Sequence, residues 1–319
     1  MSTLFGSGIV LAACTSANGT TPNGTSANGT TPNGTTPNGT SANGTSANGT
    51  SANGTSANGT SANGATAYVL NPTSGTVTPI DTANNTAGTP ISVGNYPNGI
   101  AITPNGKTAY VANLKAGTVT PIDTANNTAG TPISVGNYPN AIAITPNGKT
   151  VYITNGGSTD TVTPIDIATN TAGTPIPIPG DAGPIAITPN GKTAYVPNFG
   201  SGTVTPITIA TNTAGTPITV GTNPFAIAIT PNGKTVYVVN NGWGFGSGTV
   251  TPIDTANNTA GTAINVGSYP YAIAITPNGK TAYVANNGAG TVTPIDTANN
   301  TAGTAINVGS GPAAIAITP

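Results

Sequence analysis

Thr118-Val-Thr-Pro-Ile-Asp-Thr-Ala-Asn-Asn-Thr-Ala-Gly-Thr-Pro-Ile-Ser-Val-Gly136, then Asn137-Tyr-Pro-Asn-Ala-Ile-Ala-Ile-Thr-Pro-Asn-Gly-Lys149 and Thr150-Val-Tyr-Ile-Thr-Asn155, is one turn of a pattern written six times. Its tyrosine recurs at Tyr68, Tyr110, Tyr152, Tyr195, Tyr237 and Tyr283, at spacings of 42, 42, 43, 42 and 46 residues. Ile142-Ala143-Ile144-Thr145 alternates about a small residue and reads as a buried strand. Pro146-Asn147-Gly148-Lys149 is a tight turn, since Asn-Gly tolerates the positive φ that hairpins need. Thr150 to Thr154 is a second strand rich in β-branched and aromatic residues. Thr161-Val-Thr-Pro-Ile-Asp166 is a third, with alternate residues on opposite faces, and Thr174 to Ile178 a fourth. Pro175 suits an outer edge, where a missing N–H costs least. The equivalents of Pro164 fall inside the third strand, so a bulge or lost pairing is expected at Pro79, Pro121, Pro164, Pro206, Pro252 and Pro294.

A period near 40 made only of short strands points to propeller blades of four strands each. The expected fold is therefore all-β: a six-bladed β-propeller of four-stranded antiparallel blades over residues 65–319. The first blade begins at its second strand, Ala67 to Leu70, and the chain ends on an inner strand, Ala314 to Thr318. That C-terminal strand is expected to join the N-terminal blade and close the ring, hiding strand edges that would otherwise template aggregation.

The blade pattern is similar to the YVTN-type β-propeller repeat. Tyr152-Ile153-Thr154-Asn155 is the nearest match to the family's name motif, and the other copies read Tyr-Val-Leu-Asn, Tyr-Val-Ala-Asn, Tyr-Val-Pro-Asn and Tyr-Val-Val-Asn. The resemblance covers residues 65–319 and commonly implies seven blades; it also implies an extracytoplasmic binding or surface protein rather than a particular ligand.

Two segments precede the repeats. Leu11-Ala12-Ala13-Cys14 resembles the lipobox of bacterial lipoprotein signal peptides, so residues 1–14 are expected to be a signal segment and Cys14 a lipidation site. Residues 15–64 are ten pentapeptides, Thr-Ser-Ala-Asn-Gly or Thr-Thr-Pro-Asn-Gly. They hold no large apolar residue to offset ordering entropy, so a flexible linker is expected. Its mean span, from about 5–6 Å times the square root of length, is about 35–42 Å.

Composition removes many function classes. Six Lys, seven Asp and no Arg, Glu or His leave 4% of residues charged and a net charge of −1. With no His and one Cys, the usual zinc, copper and haem ligand sets are missing, as is the base of a catalytic triad. No metal site and no cofactor are expected. Asp81, Asp123, Asp166, Asp254 and Asp296 could ring a calcium ion, but such residues more often cap their own turns. Nucleic acid is excluded as a partner by six Lys without Arg. No apolar run of 18 residues exists, so the membrane is expected as a partner only through a lipid anchor, and the chain as a monomer.

The copies differ mainly in the loop after the second strand and in the approach to the inner strand. Strand alternation puts both at one end of the ring, and the aromatics outside the blade core gather there. Tyr96, Tyr138, Phe199, Phe225, Trp243, Phe245, Tyr269 and Tyr271 are the candidate ligand-binding residues. Two readings stay open for them: a recognition face on a rigid scaffold, or rings that plug gaps between neighbouring blades. On these residues the chain reads as non-catalytic, an envelope or surface protein binding a glycan, peptide or protein. The alternatives are a spacer without a specific ligand and, less favoured, a propeller enzyme of quinoprotein or lactonase type.

Overall fold

The computed structural model describes residues 65–318 except Ser158 and residues 243–246. Residues 1–14, the 15–64 linker, Trp243 and Phe245 therefore lie outside the described residues. All regular structure among the described residues is strand, in six antiparallel sheets that follow one another along the chain as the blades of a six-bladed β-propeller. Sheet three is representative. Pro139–Ile144 is innermost and pairs with Thr150–Asn155, which pairs with Thr161–Asp166. Inner strands of successive sheets, such as Pro97–Ile102 with Pro139–Ile144, pack on one another around a common axis.

The prolines of the third strand bring the expected local loss of pairing, on one side only. Pairing with the second strand runs without a break through Tyr68↔Pro79, Tyr152↔Pro164 and their equivalents. The break falls on the outer side. There the fourth strand is split into two-residue pieces, Thr171–Ala172 opposite Ile165 and Asp166, and Ile176–Pro177 opposite Thr161 and Val162. Pro164 lies between these pieces, so its missing N–H faces a gap, while its carbonyl accepts from Gly173 N–H at 2.8 Å. Register shifts occur instead at the start of inner strands, at Pro97/Gly99, Pro139/Ala141, Pro224/Ala226 and Pro270/Ala272.

Two neutral networks join the sheets. Each buried tyrosine reaches one blade forward: Tyr68, Tyr110, Tyr152, Tyr195 and Tyr237 donate to the side-chain oxygens of Asn127, Asn170, Asn212, Asn258 and Asn300 at 2.5–2.6 Å. All five acceptors sit at φ between 53° and 58°, a left-handed turn position that Asn tolerates. Within a blade, the motif asparagine ties the second strand to the third: Asn113 Nδ2 donates to Thr118 and Thr120 hydroxyls, and Thr120 donates to the Val93 carbonyl at 2.7 Å. Gly94 covers that asparagine so closely that a Cβ there would lie 2.7 Å from its Cγ.

The expected closure by the C-terminal strand is absent from the structure. Thr66–Asn71 pairs only with Thr76–Asp81, and residues 308–318 form no strand. The terminal segment instead keeps the contact every inner strand makes with the sheet before it: Ile315 packs against Ala272, Ala285 and Val292 of sheet six, as Ile273 packs on sheet five.

Gly94→Ala should cost about 1–3 kcal/mol, as overpacking in a filled site does, read as a lower midpoint in chemical denaturation; an unmoved midpoint rejects the close packing. The five forward-reaching tyrosines are pushed up to about 12 by burial, from 10.0. Their folded values exceed the unfolded one, so their contribution to stability is whole below pH 10 and is lost as pH rises towards 12. Site-resolved NMR should therefore show these five phenols ionising only together with unfolding; their ionisation near pH 10 in a folded chain would contradict this.

Candidate recognition site at the loop end of the blades

Backbone bonds bring the two variable segments of each blade to one end. Leu114, Gly156, Phe199, Asn241 and Asn287 N–H groups donate to the carbonyls of Tyr96, Tyr138, Asp181, Asn223 and Tyr269 at 2.9–3.2 Å. The opposite end holds the turn aspartates. Asp81, Asp123, Asp254 and Asp296 accept from the N–H two residues on, and Asp166 from Thr169, so these carboxylates cap their own turns. Two bonds from Thr169 hold the Asp166 carboxyl below the usual range.

The candidate aromatics divide into two groups. Phe225 and Tyr271 occupy the bulge at the start of adjacent inner strands, with ring centroids 4.5 Å apart, and Phe225 packs against the core of sheets five and six. In the same bulge of sheets two and three, Asn98 Nδ2 donates to Asn140 Oδ1 at 3.0 Å. These pairs bridge neighbouring blades near the axis, which is the plugging role. Phe199 is half-buried in the loop after its second strand.

Tyr96, Tyr138 and Tyr269 are different. Each precedes a proline and has positive φ, at 61°, 47° and 48°. A bulky side chain is uncommon there, and the residue before proline is further restricted. Burial does not offset the strain, because Tyr138 is 58% and Tyr269 37% exposed. The equivalent position in sheet five is Asn223, φ 54°, a residue the conformation suits. A glycine of the neighbouring loop makes room for one of the rings: a Cβ on Gly288 would meet Tyr269 Cδ2 at 2.4 Å, whereas one on Gly157 would lie in ordinary contact with Tyr138 Cδ2 at 3.7 Å. Over the Tyr96 ring lies the Lys115 ammonium, 4.6 Å from its centroid.

Sequence reading missed one cluster at this end. Asp160, in the loop after the second strand of sheet three, faces Asp181 on the approach to sheet four. Burial and then the Asp181 charge raise the Asp160 carboxyl above its ordinary value, against a bond from Ala182 N–H. They are the two aspartates outside the capping turns, which was the available signal. A cavity of about 640 Å³ lies elsewhere, on the outer rim between residues 174–177 and 211–214, and no titratable group lines it.

Residues 208–313 match the family model "Lactonase, 7-bladed beta-propeller", a third of the chain. Similar solved structures include Kuenenia stuttgartiensis hydrazine synthase, with TM-score 0.65, 23% identity, 77% of this chain and 84% of that one covered. A functionally unknown protein from Desulfotomaculum acetoxidans DSM 771 gives TM-score 0.67 and 22% identity, with 78% and 81% covered. No curated protein matches the sequence. At these identities the solved structures carry the fold alone. The family match overturns the expectation of a non-catalytic chain, because it aligns sheets five and six with a family named for a hydrolytic enzyme. The family is seven-bladed, whereas the described residues form six sheets. What the matches establish is a β-propeller with tandem repeats.

Proposed function

We propose that the loop end is a recognition surface for a neutral glycan, carried on a propeller held outside the cell by lipid on Cys14 and set off from the membrane by residues 15–64. The observation that carries this reading is the set of three tyrosines held in a left-handed conformation, of which Tyr138 and Tyr269 are exposed and Tyr96 is half-buried. Each costs on the order of 1–3 kcal/mol that asparagine would spare, and packing returns little of it. Residues that break a local rule without a structural gain mark function more often than accident. Tyrosine rings resting on glycine offer flat apolar faces to the ring hydrogens of a sugar, with hydroxyls at the edge. The near absence of charge favours a neutral ligand over an ionic one.

Replacing Tyr96, Tyr138 and Tyr269 together by Asn should weaken glycan capture at least tenfold in array or calorimetric binding, with the thermal midpoint unchanged or raised. Capture of peptides alone would move the ligand class, and no saturable capture by the parent chain would favour a spacer.

One observation favours a second reading. The Asp160–Asp181 pair at the same end, together with the lactonase-family match, suits hydrolysis of a cyclic ester, with the Asp160 carboxylate as general base. Such an activity should rise with pH as Asp160 ionises, and Asp160→Asn should lower it about 10²-fold or more; no turnover of simple lactones by the parent protein rejects this reading.

A further inference from the structure

One residue of the loop after each second strand faces the approach to the inner strand of the same sheet. The backbone fixes the pairing: Lys115, Gly242 and Gly288 N–H groups donate to the carbonyls of Asn95, Thr222 and Ser268 at 3.1–3.3 Å, one step beyond the bonds that bring the two segments together. Gly157 and Gly200 stand at the same place in sheets three and four. A Cβ at this position points at the approach side chain. From Gly157 it would lie 3.7 Å from Tyr138 Cδ2, from Gly200 3.0 Å from Asp181 Oδ2, and from Gly288 2.4 Å from Tyr269 Cδ2. Sheets three to six therefore keep the position bare. Sheet two does not. Its Lys115 is exposed at the backbone turn and carries its ammonium to 4.6 Å from the centroid of the Tyr96 ring. The other five lysines lie in the Asn-Gly-Lys turns at the opposite end, and the loop-end carboxylates, Asp160 and Asp181, belong to sheets three and four.

We infer that Lys115 is a specificity-determining residue of the loop end: its ammonium caps a face of Tyr96 that glycine leaves open at the other two tyrosines, so a neutral sugar stacks on Tyr138 and Tyr269 directly and on that face of Tyr96 only by displacing the cation. The inference takes its ligand class from the glycan reading above and rests on it. The backbone presents the three rings alike, at φ 61°, 47° and 48°, so the side chain of residue 115 is what sets them apart. Their exposure agrees, since Tyr138 and Tyr269 are exposed and Tyr96 is half-buried. The chemistry is a competition for one π-face. The ring quadrupole draws the ammonium by an amount that corresponds, at an exposed site, to an equilibrium constant of about two to five. Sugar C–H groups bring no full charge to that face and must overcome the difference. Two subsites are thus open in the resting chain and the third is conditional.

Two measurements on the full chain test this. The first needs no ligand: photochemical polarisation of tyrosine rings by a flavin dye, read by NMR, reports which rings the dye can reach. Tyr138 and Tyr269 should polarise strongly and Tyr96 weakly. Lys115→Gly should raise the Tyr96 signal to that of Tyr138, and Lys115→Arg, which keeps a cation over the ring, should not. An unmoved Tyr96 signal in Lys115→Gly overturns the proposal. The second measurement uses cellohexaose, chitohexaose and maltohexaose as neutral probes in calorimetry. Lys115→Gly should tighten capture about two- to fivefold, and Tyr96→Asn added to it should cancel the gain. If the parent captures a probe and Lys115→Gly weakens that capture or leaves it as it was, the role of Lys115 is lost while the glycan reading stands. Capture by neither chain sinks the glycan reading and, with it, the part of Lys115 in recognition, even where the ring has been uncovered.

Discussion

A buried tyrosine hydroxyl must find a partner or lose the free energy of an unsatisfied polar group, on the order of 1–3 kcal/mol. In this chain the partner is always one blade away. The phenol of one Tyr-Val-x-Asn strand ends at the side chain of an asparagine that only a left-handed turn can aim at it. The turn after each third strand is therefore tied to the second strand of the preceding blade, about 60 residues earlier. With 4% charged residues, the blades are held together by this neutral bond and by the apolar faces around it.

Sheet four shows which part of the turn is indispensable. There Thr208 stands in place of the capping aspartate, and the local carboxylate bonds are gone. Asn212 nevertheless keeps φ 53° and still accepts from Tyr152. The cap is a local aid worth about 1 kcal/mol. The left-handed asparagine answers a burial requirement in another blade, and the turn is retained for that. The same logic separates the two ends of the ring. One end carries turns whose residues are owed to neighbouring blades, so the copies agree. The other end carries loops that owe the core little beyond one backbone bond each, so the copies are free to differ.

What could be read from the sequence follows the range of the interaction. The second and third strands, the Asn-Gly turns and the capping aspartates rest on contacts within a few residues and read correctly, whereas the fourth strand expected at Thr174 to Ile178 is split into Thr171–Ala172 and Ile176–Pro177, and no strand forms at Ala314 to Thr318. The loss of pairing at Pro164 was legible, but not its side, which depends on where the nitrogen faces, nor the split outer strand that accommodates it, which has no period of its own. The Tyr–Asn bonds and the Asp160–Asp181 approach join residues of different blades, and no local pattern encodes them. Among the described candidate aromatics, only backbone dihedrals separate Tyr96, Tyr138 and Tyr269 from the packed pair Phe225 and Tyr271.

That separation bears on how a repeat scaffold acquires specificity. Every blade repeats one solution to the burial of the same side chains, so a substitution in the core must be matched in the adjacent blade. A substitution before the inner-strand proline has no such obligation. It sits just ahead of the bulge, and its carbonyl bond is made whatever the side chain, as Tyr138 and Asn223 and the equivalent Asp181 all demonstrate. The cost of tyrosine there is confined to its own φ and is not passed to a neighbour. Position by position, the approach to the inner strand can therefore exchange stability for an exposed ring while the inter-blade packing beneath it stays the same. A scaffold of near-identical units can in this way present an end surface unlike any single unit.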